Sequence, residues 1–455
     1  MEPELVTNLT SDSSLCILWI SSNLISSSSK KLVITKNLKN IFRDFSKTYK
    51  SIKKNIVVSK YYQEQQIIPS DKPYFLEYLE ERNHSLLSKT NFRDVEHLSE
   101  IISNNKDEFN NVFEQAVSEF NPMKKLSLQQ ANIYHHFCPL MIQHEIEQKL
   151  GSHYIYTSSI SKHHIQLNTH TCQFSLSERF VGELLSRIHT LNILTREVRP
   201  NININLWCCR LKKKLPNEKC LGSHSVNSAS TYIAHCQDVK VWRIEESRKV
   251  VTHELFHCLG LDFHHVPDFF YQKILSVFNI PNQDLLFCET YVEMWAVIIN
   301  CFTIAELFSD SVNHLDNLFN YERYYAAFQT AKILHFFNFR TFGHFFNLHG
   351  FSTNEKDNSS FKQSSSILSY YILKSALLFK INDFIDFCYQ YNRDCVFKFQ
   401  EKDETYQAFL KLLLKSLDDP DFKKVINTSL KLLSTMSKDT FMYTNLRMTC
   451  LETYL

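Results

Sequence analysis

From Lys249 to His265 the chain reads KVVTHELFHCLGLDFHH, and no other stretch constrains it as tightly. His253 and His257 stand four positions apart. On an α-helix that spacing stacks them one turn apart on one face, where both imidazoles can reach a single ion. Neutral imidazole suits Zn²⁺, at an expected ~2.0–2.1 Å from each nitrogen. Glu254 falls about 100° further round, beside that face. A carboxylate there can take a proton from a water molecule and pass it to a leaving amine. Val251, Leu255, Cys258 and Leu259 form an apolar stripe that anchors such a helix. Glu245 and Glu246 suit its positive N-terminal end, and Gly260 can end it. The competing reading is a buried helix whose histidines bond to backbone carbonyls.

The segments around the motif set its context. HIQLNTHTCQFSL alternates like a strand, and SERFVGELLSRIHTLNILTR opens on Ser177 as an N-cap and reads as a helix. NININLWCCRL alternates strictly over Ile202, Ile204 and Leu206; Ser225 to Ala234 is a shorter, more polar strand, and VKVWRI another. Before them, LSLQQANIYHHFCPLMIQHEIEQKLG from Leu126 has helical spacing up to Gly151, and LVITKNLKNIFRDFSKTYKSIKKNIVV gives a helix with short flanking strands. After Pro281 large apolar residues recur every three to four positions in four long stretches. These patterns predict an α+β fold in which a small mixed β-sheet with helices precedes a mainly helical C-terminal subdomain. The expected divisions are 1–125, a mixed region without an assigned role; 126–280, the α/β part carrying the motif; and 281–455, the helical part.

A run of strands followed by a His-Glu-x-x-His helix resembles the zincin superfamily of zinc metallopeptidases, over roughly Ile165 to Phe302. The block VNSAST…VWRIEESRKVVTHELFHCLGLDF…ETYVEMWA is also similar to uncharacterised metallopeptidases of large DNA viruses. The resemblance implies one Zn²⁺ held by His253 and His257, with Glu254 as general base and then general acid, and a peptide or protein substrate. In the gluzincin branch a glutamate on a later helix completes the site. That implies Glu289 as third ligand and Glu293, one turn on, as the group orienting a histidine, with the two roles open to exchange. The metzincin alternative requires a histidine where this chain has Phe263; His264 falls one place late, and Asp262 is a weaker candidate. In zincins an edge strand pairs with extended substrate, a part Ser225 to Ala234 is placed to play. Tyr321, Tyr324 and Tyr325 are candidates for the oxyanion donor such peptidases need. The alternative is a non-catalytic viral structural or host-interaction protein that keeps the fold.

Composition narrows the remaining choices. Fifty basic against 48 acidic residues leave a net charge of +2, which gives no electrostatic case for a nucleic-acid or membrane partner. The basic run Arg210 to Lys214 reads as a solvated loop or strand end. The first residues are acidic where a secretion signal is basic, and no apolar run is long enough to cross a bilayer. Thirteen cysteines without a Cys-x-x-Cys pair suit reduced thiols. The expectation is a soluble intracellular protein, in host cytoplasm or virion if viral. Neither a phosphate-binding loop nor a serine-hydrolase elbow occurs.

Overall fold

The computed structural model describes residues 9–25, 32–64, 138–149, 151–171, 175–196, 199–217, 220–281, 285–308, 311–352 and 360–453, all within one compact unit. Expectations for 65–137, including most of the helix expected from Leu126, lie outside the described residues. Among the described residues two helices come first, α1 (Ser11–Asn23) and α2 (Lys36–Asn55), then strand β1 (Val58–Glu64). Beyond the undescribed stretch follow α3 (Leu140–Lys149), β2 (Ser152–Ile160), β3 (His163–Thr171), α4 (Glu178–Leu194) and β4 (Asn201–Cys209). The short α5 (Ser223–Val226), β5 (Ala229–Tyr232) and β6 (His235–Arg243) lead into α6 (Ser247–Cys258), which carries the motif.

These strands form one mixed sheet in the order β1-β2-β3-β4-β6-β5. β4 runs parallel to both β3 and β6, and the other neighbours are antiparallel. Alternation decides which face is buried: Ile202, Ile204 and Leu206 of β4 join Ile165, Leu167, Val239 and Val241 in the core. The intervening amides bond one another on the opposite face, Asn168 Nδ2 donating to Asn203 Oδ1 at 2.7 Å and to Asn205 Oδ1 at 3.0 Å. Ser177 caps α4 as its sequence predicts, its hydroxyl accepting from Phe180 N at 3.1 Å. Buried Arg187 of α4 then ties three helices together, donating to Arg248 O at 2.8 Å, Thr252 Oγ1 at 3.3 Å and Asn300 Oδ1 at 3.3 Å.

The remainder is mainly helical: α7 (Asp268–Val277), α8 (Cys288–Ala305), α9 (Ser311–Phe336), α10 (Lys374–Phe379), α11 (Ile381–Tyr391), α12 (Asp403–Leu417), α13 (Pro420–Thr435) and α14 (Phe441–Thr444). A mixed six-stranded sheet with helices, followed by a helical C-terminal region, is therefore the fold. The apolar core is continuous, from Leu9 through the sheet to Leu451. Among the described residues no helix is long and apolar enough to cross a membrane, and the described cysteines are free thiols.

Three local expectations change. The strand expected over Ser225 to Ala234 keeps only Ala229–Tyr232. Arg243 gathers the carbonyls of Leu211, His224 and Asn227 at 2.7, 2.7 and 3.0 Å, which curls the preceding residues into α5. The single helical pattern after Ser366 breaks into a π-helical turn (Leu368–Leu373), α10 and α11. The basic run is not all solvated: Lys213 is buried, its Nζ 2.7 Å from Glu246 Oε2, while Lys212 meets Asp12 at the surface.

Phe263, where a third histidine would stand in the metzincin pattern, is fully buried among aromatic rings. Ring centroids of Phe399, Tyr406, Phe409 and Tyr291 lie 4.4, 5.6, 6.0 and 6.4 Å away. Phe263→Ala is expected to lower unfolding free energy by about 3–5 kcal/mol in denaturant titrations. Phe263→His is expected to destabilise without tightening metal binding, because position 263 sits inside this aromatic cluster.

Candidate metal centre

α6 ends in a Schellman turn: Leu261 N donates to Phe256 O and Gly260 N to His257 O, both at 3.0 Å, with Gly260 at φ +67°. This turn sends the chain back so that Asp262, five residues beyond His257, reaches its ring; Asp262 Oδ2 lies 2.7 Å from His257 Nδ1. Phe399 N, donating to Leu261 O at 2.8 Å, fixes the returning segment. The β5–β6 turn docks on the same helix end, Ala234 N donating to His257 O at 3.0 Å and Cys236 Sγ to Cys258 O at 2.9 Å. At the other end Glu246 adopts a left-handed φ of +60°, and its side chain does not cap α6. Its Oε1 accepts instead from the backbone of Met448 and Thr449, at 2.7 and 2.6 Å.

α8 packs against α6 and brings Glu289 to the histidines; Phe256 stacks on Trp295 across this contact, centroids 6.1 Å apart. Nε2 of His253 and Nε2 of His257 are 3.2 Å apart. Glu289 Oε2 lies 3.1 Å from the first and 3.3 Å from the second. Glu293 Oε1 sits 2.9 Å from Nδ1 of His253, as Asp262 does for His257. With a carboxylate at each Nδ1, the proton of each neutral ring belongs there, and the two Nε2 lone pairs converge beside a carboxylate oxygen. Three lone pairs aimed at one point repel unless a cation sits among them. A tetrahedral Zn²⁺ site with bonds of ~2.0–2.1 Å has ligand–ligand edges of about 3.3 Å, so this triangle fits such an ion. His253, His257 and Glu289 form a buried group that could hold a metal ion.

Charge counting agrees. Carboxylates of Glu254, Asp262, Glu289 and Glu293 gather at the two rings, and the ammonium groups of Lys249 and Lys374 face Glu293. With neutral imidazoles and all four carboxylates ionised, the cluster lacks two positive charges, the charge of one divalent ion. In the ion-free protein, burial opposes charge on both rings, but the adjoining carboxylates hold both histidine pKa values above the usual range. Burial likewise works against ionised Glu289, yet His257 and His253 keep its carboxyl well below the ordinary value.

Glu254 differs from the other three carboxylates. Among the described residues no hydrogen bond or ion pair holds it, and burial pushes its pKa up to about 7 against the pull of His253 and His257. It borders a cavity of ≈ 30 Å³ shared with His253, Asn227, Ser228, Ala229 and Tyr370. Tyr370, on the π-helical turn, places its ring centroid 6.1 Å from that of His253. Burial and then Glu289, Glu254 and Glu293 raise its hydroxyl pKa well above the usual value, so it is a proton donor at neutral pH.

Other expected residues lie elsewhere. His264 is exposed, its backbone N donating to Glu401 Oε2 at 3.3 Å. Tyr325 is buried with its hydroxyl donating to Asn445 Oδ1 at 2.7 Å, Tyr324 packs on Phe379, and neither borders this cavity. Sequence reasoning missed Tyr370, and it offered Asp262 only as a weaker third ligand, not as the carboxylate behind His257. Asp262 could have been found from the turn that Gly260 permits; Tyr370 carries no signal in its own neighbourhood.

Divalent metal at about 100 times its dissociation constant is expected to stabilise the protein by about 2.7 kcal/mol. The upward shift in thermal unfolding should vanish in His257→Ala and in Glu289→Ala.

No family model, curated protein or solved structure matches this chain.

Proposed function

We propose that the protein is a zinc-dependent hydrolase of peptide bonds. The observation that carries this reading is one ion-sized triangle of His253, His257 and Glu289 beside a carboxylate, Glu254, with no partner of its own. His253, His257 and Glu289 would hold a divalent ion, which would supply polarisation of a carbonyl oxygen and a lowered pKa for a water molecule. Glu254 accepts a proton from that water at its free carboxylate and delivers it to the departing amine nitrogen. The Tyr370 hydroxyl donates to the oxygen on which negative charge develops. Among the described residues β5 ends the sheet with one neighbour, and Ala229 at its start borders the cavity with His253, so an extended peptide pairing with this edge would run past His253.

A second reading has its own support. At ≈ 30 Å³ the cavity holds about two water molecules, and His253 and His257 are only 7% and 8% exposed. A non-catalytic protein stabilised by its ion, such as a structural or host-interaction factor, also fits so closed a site.

Glu254→Gln is expected to retain one Zn²⁺ per chain while cleavage of a mixed peptide library, followed by mass spectrometry, falls by at least about 10²-fold. Full cleavage by that variant rules the mechanism out. Absence of cleavage by the zinc-loaded wild type, with melting still metal-dependent, selects the second reading. Tyr370→Phe is expected to lower kcat by about 10²–10³-fold with metal content unchanged.

A further inference from the structure

Behind His253 the structure continues inward through charged groups. Glu293 Oε1 faces both His253 Nδ1, at 2.9 Å, and the ammonium group of Lys249. Its Oε2 faces Lys374 Nζ at 3.6 Å. All three of these side chains are at most 2% exposed. Both lysines are seated on the same distant residue: Lys374 Nζ donates to Met448 O at 2.9 Å, and Lys249 Nζ lies 3.7 Å from Met448 Sδ. Met448 is itself pinned through its backbone N to Glu246, whose other oxygen takes Lys213 Nζ at 2.7 Å. A buried lysine on a helix four residues before a metal-site histidine is an expensive arrangement unless the charge has a task. Replacing the two lysines by apolar residues would leave Glu293 buried with one imidazole as its sole neighbour of this kind.

We infer that Lys249 and Lys374 are positioning residues of the metal centre, holding Glu293 in place as the acceptor that orients His253, and that Met448 seats both. This rests on reading His253, His257 and Glu289 as a metal site. Neither lysine belongs to the ligating group; Lys249 borders the cavity beside His253, and Lys374 does not. Two ammonium groups facing one carboxylate hold it in place, so the ring of His253 loses rotational freedom before an ion arrives, which tightens binding. The influence passes only through Glu293, and this distinguishes it from a general packing role.

The test measures Zn²⁺ affinity of the full chain by competition with a chromophoric chelator, together with the visible absorption of the Co²⁺-loaded protein. Lys374→Met and Lys249→Met are each expected to weaken Zn²⁺ binding by about 10–100-fold and to change the Co²⁺ spectrum. In a double-mutant cycle, Lys374→Met made on the background of Glu293→Gln is expected to bind Zn²⁺ as tightly as Glu293→Gln alone. A purely structural lysine would instead lower the melting temperature on both backgrounds and leave the affinity of the folded protein unchanged. Unchanged affinity in Lys374→Met, with wild type binding Zn²⁺, overturns the inference and spares the metal site. Additive losses in the cycle overturn it as well. If Lys374→Met does not fold, comparing the double variant with Glu293→Gln carries the test, and weaker binding by the double variant overturns the inference. Wild type that takes up no ion overturns the metal reading and this inference with it.

Discussion

Each imidazole of the centre has a carboxylate at its back, and the geometry of the site follows from that. Asp262 behind His257 and Glu293 behind His253 fix both ring orientations, so the two front nitrogens converge on the oxygen that Glu289 brings from the neighbouring helix. The surrounding fold supplies the constraints that keep these carboxylates where they are. The left-handed glycine after α6 turns the chain back toward His257, and the packing of α8 on α6 sets the height of Glu289 and Glu293. The sheet contributes through its last hairpin, whose turn is hydrogen-bonded to the end of the same helix.

So many ionised groups in one interior do not make a protein stable by themselves. Removing a carboxylate and an ammonium from water costs several kcal/mol each, and their attraction returns that only when geometry is good. The pattern is better understood as specificity: alternative packings of α6 would strand a charge without its partner. The same logic explains Arg187, whose guanidinium bonds one backbone carbonyl and two side chains across three helices. It also explains why Phe263 is aromatic. With a carboxylate from α8 serving the ion-sized triangle, that position is left to join the apolar packing.

Much of this was legible in the sequence, for reasons of period. Ile202, Ile204 and Leu206 alternate because one face of their strand is buried, and Ser177 announces a helix because its hydroxyl satisfies a backbone amide. His253, Glu254 and His257 stand out because their spacing matches a helical turn. What escaped was set by residues far apart in the chain. β2 was not foreseen, since in Ser152–Ile160 the apolar residues are diluted by Ser and Thr. Lys213 looks like part of a solvated basic run until Glu246, 33 positions later, is found beside it. Tyr370 lies in a stretch rich in large apolar residues, and only the tertiary arrangement separates it from its buried neighbour Tyr371. For the Glu289 and Glu293 pair the sequence supplied two carboxylates one turn apart; which faces an imidazole front and which a back depends on how α8 is rotated against α6.

The seating of Lys249 on Met448 spans 199 positions, and that separation bears on how the protein is made. A ribosome delivers the two histidines long before the residue that steadies their support. Loop closure over such a distance is slow, and contacts of this kind form only once the chain has collapsed around them. A chain that stopped before Met448 would carry the His253–His257 motif without this contact.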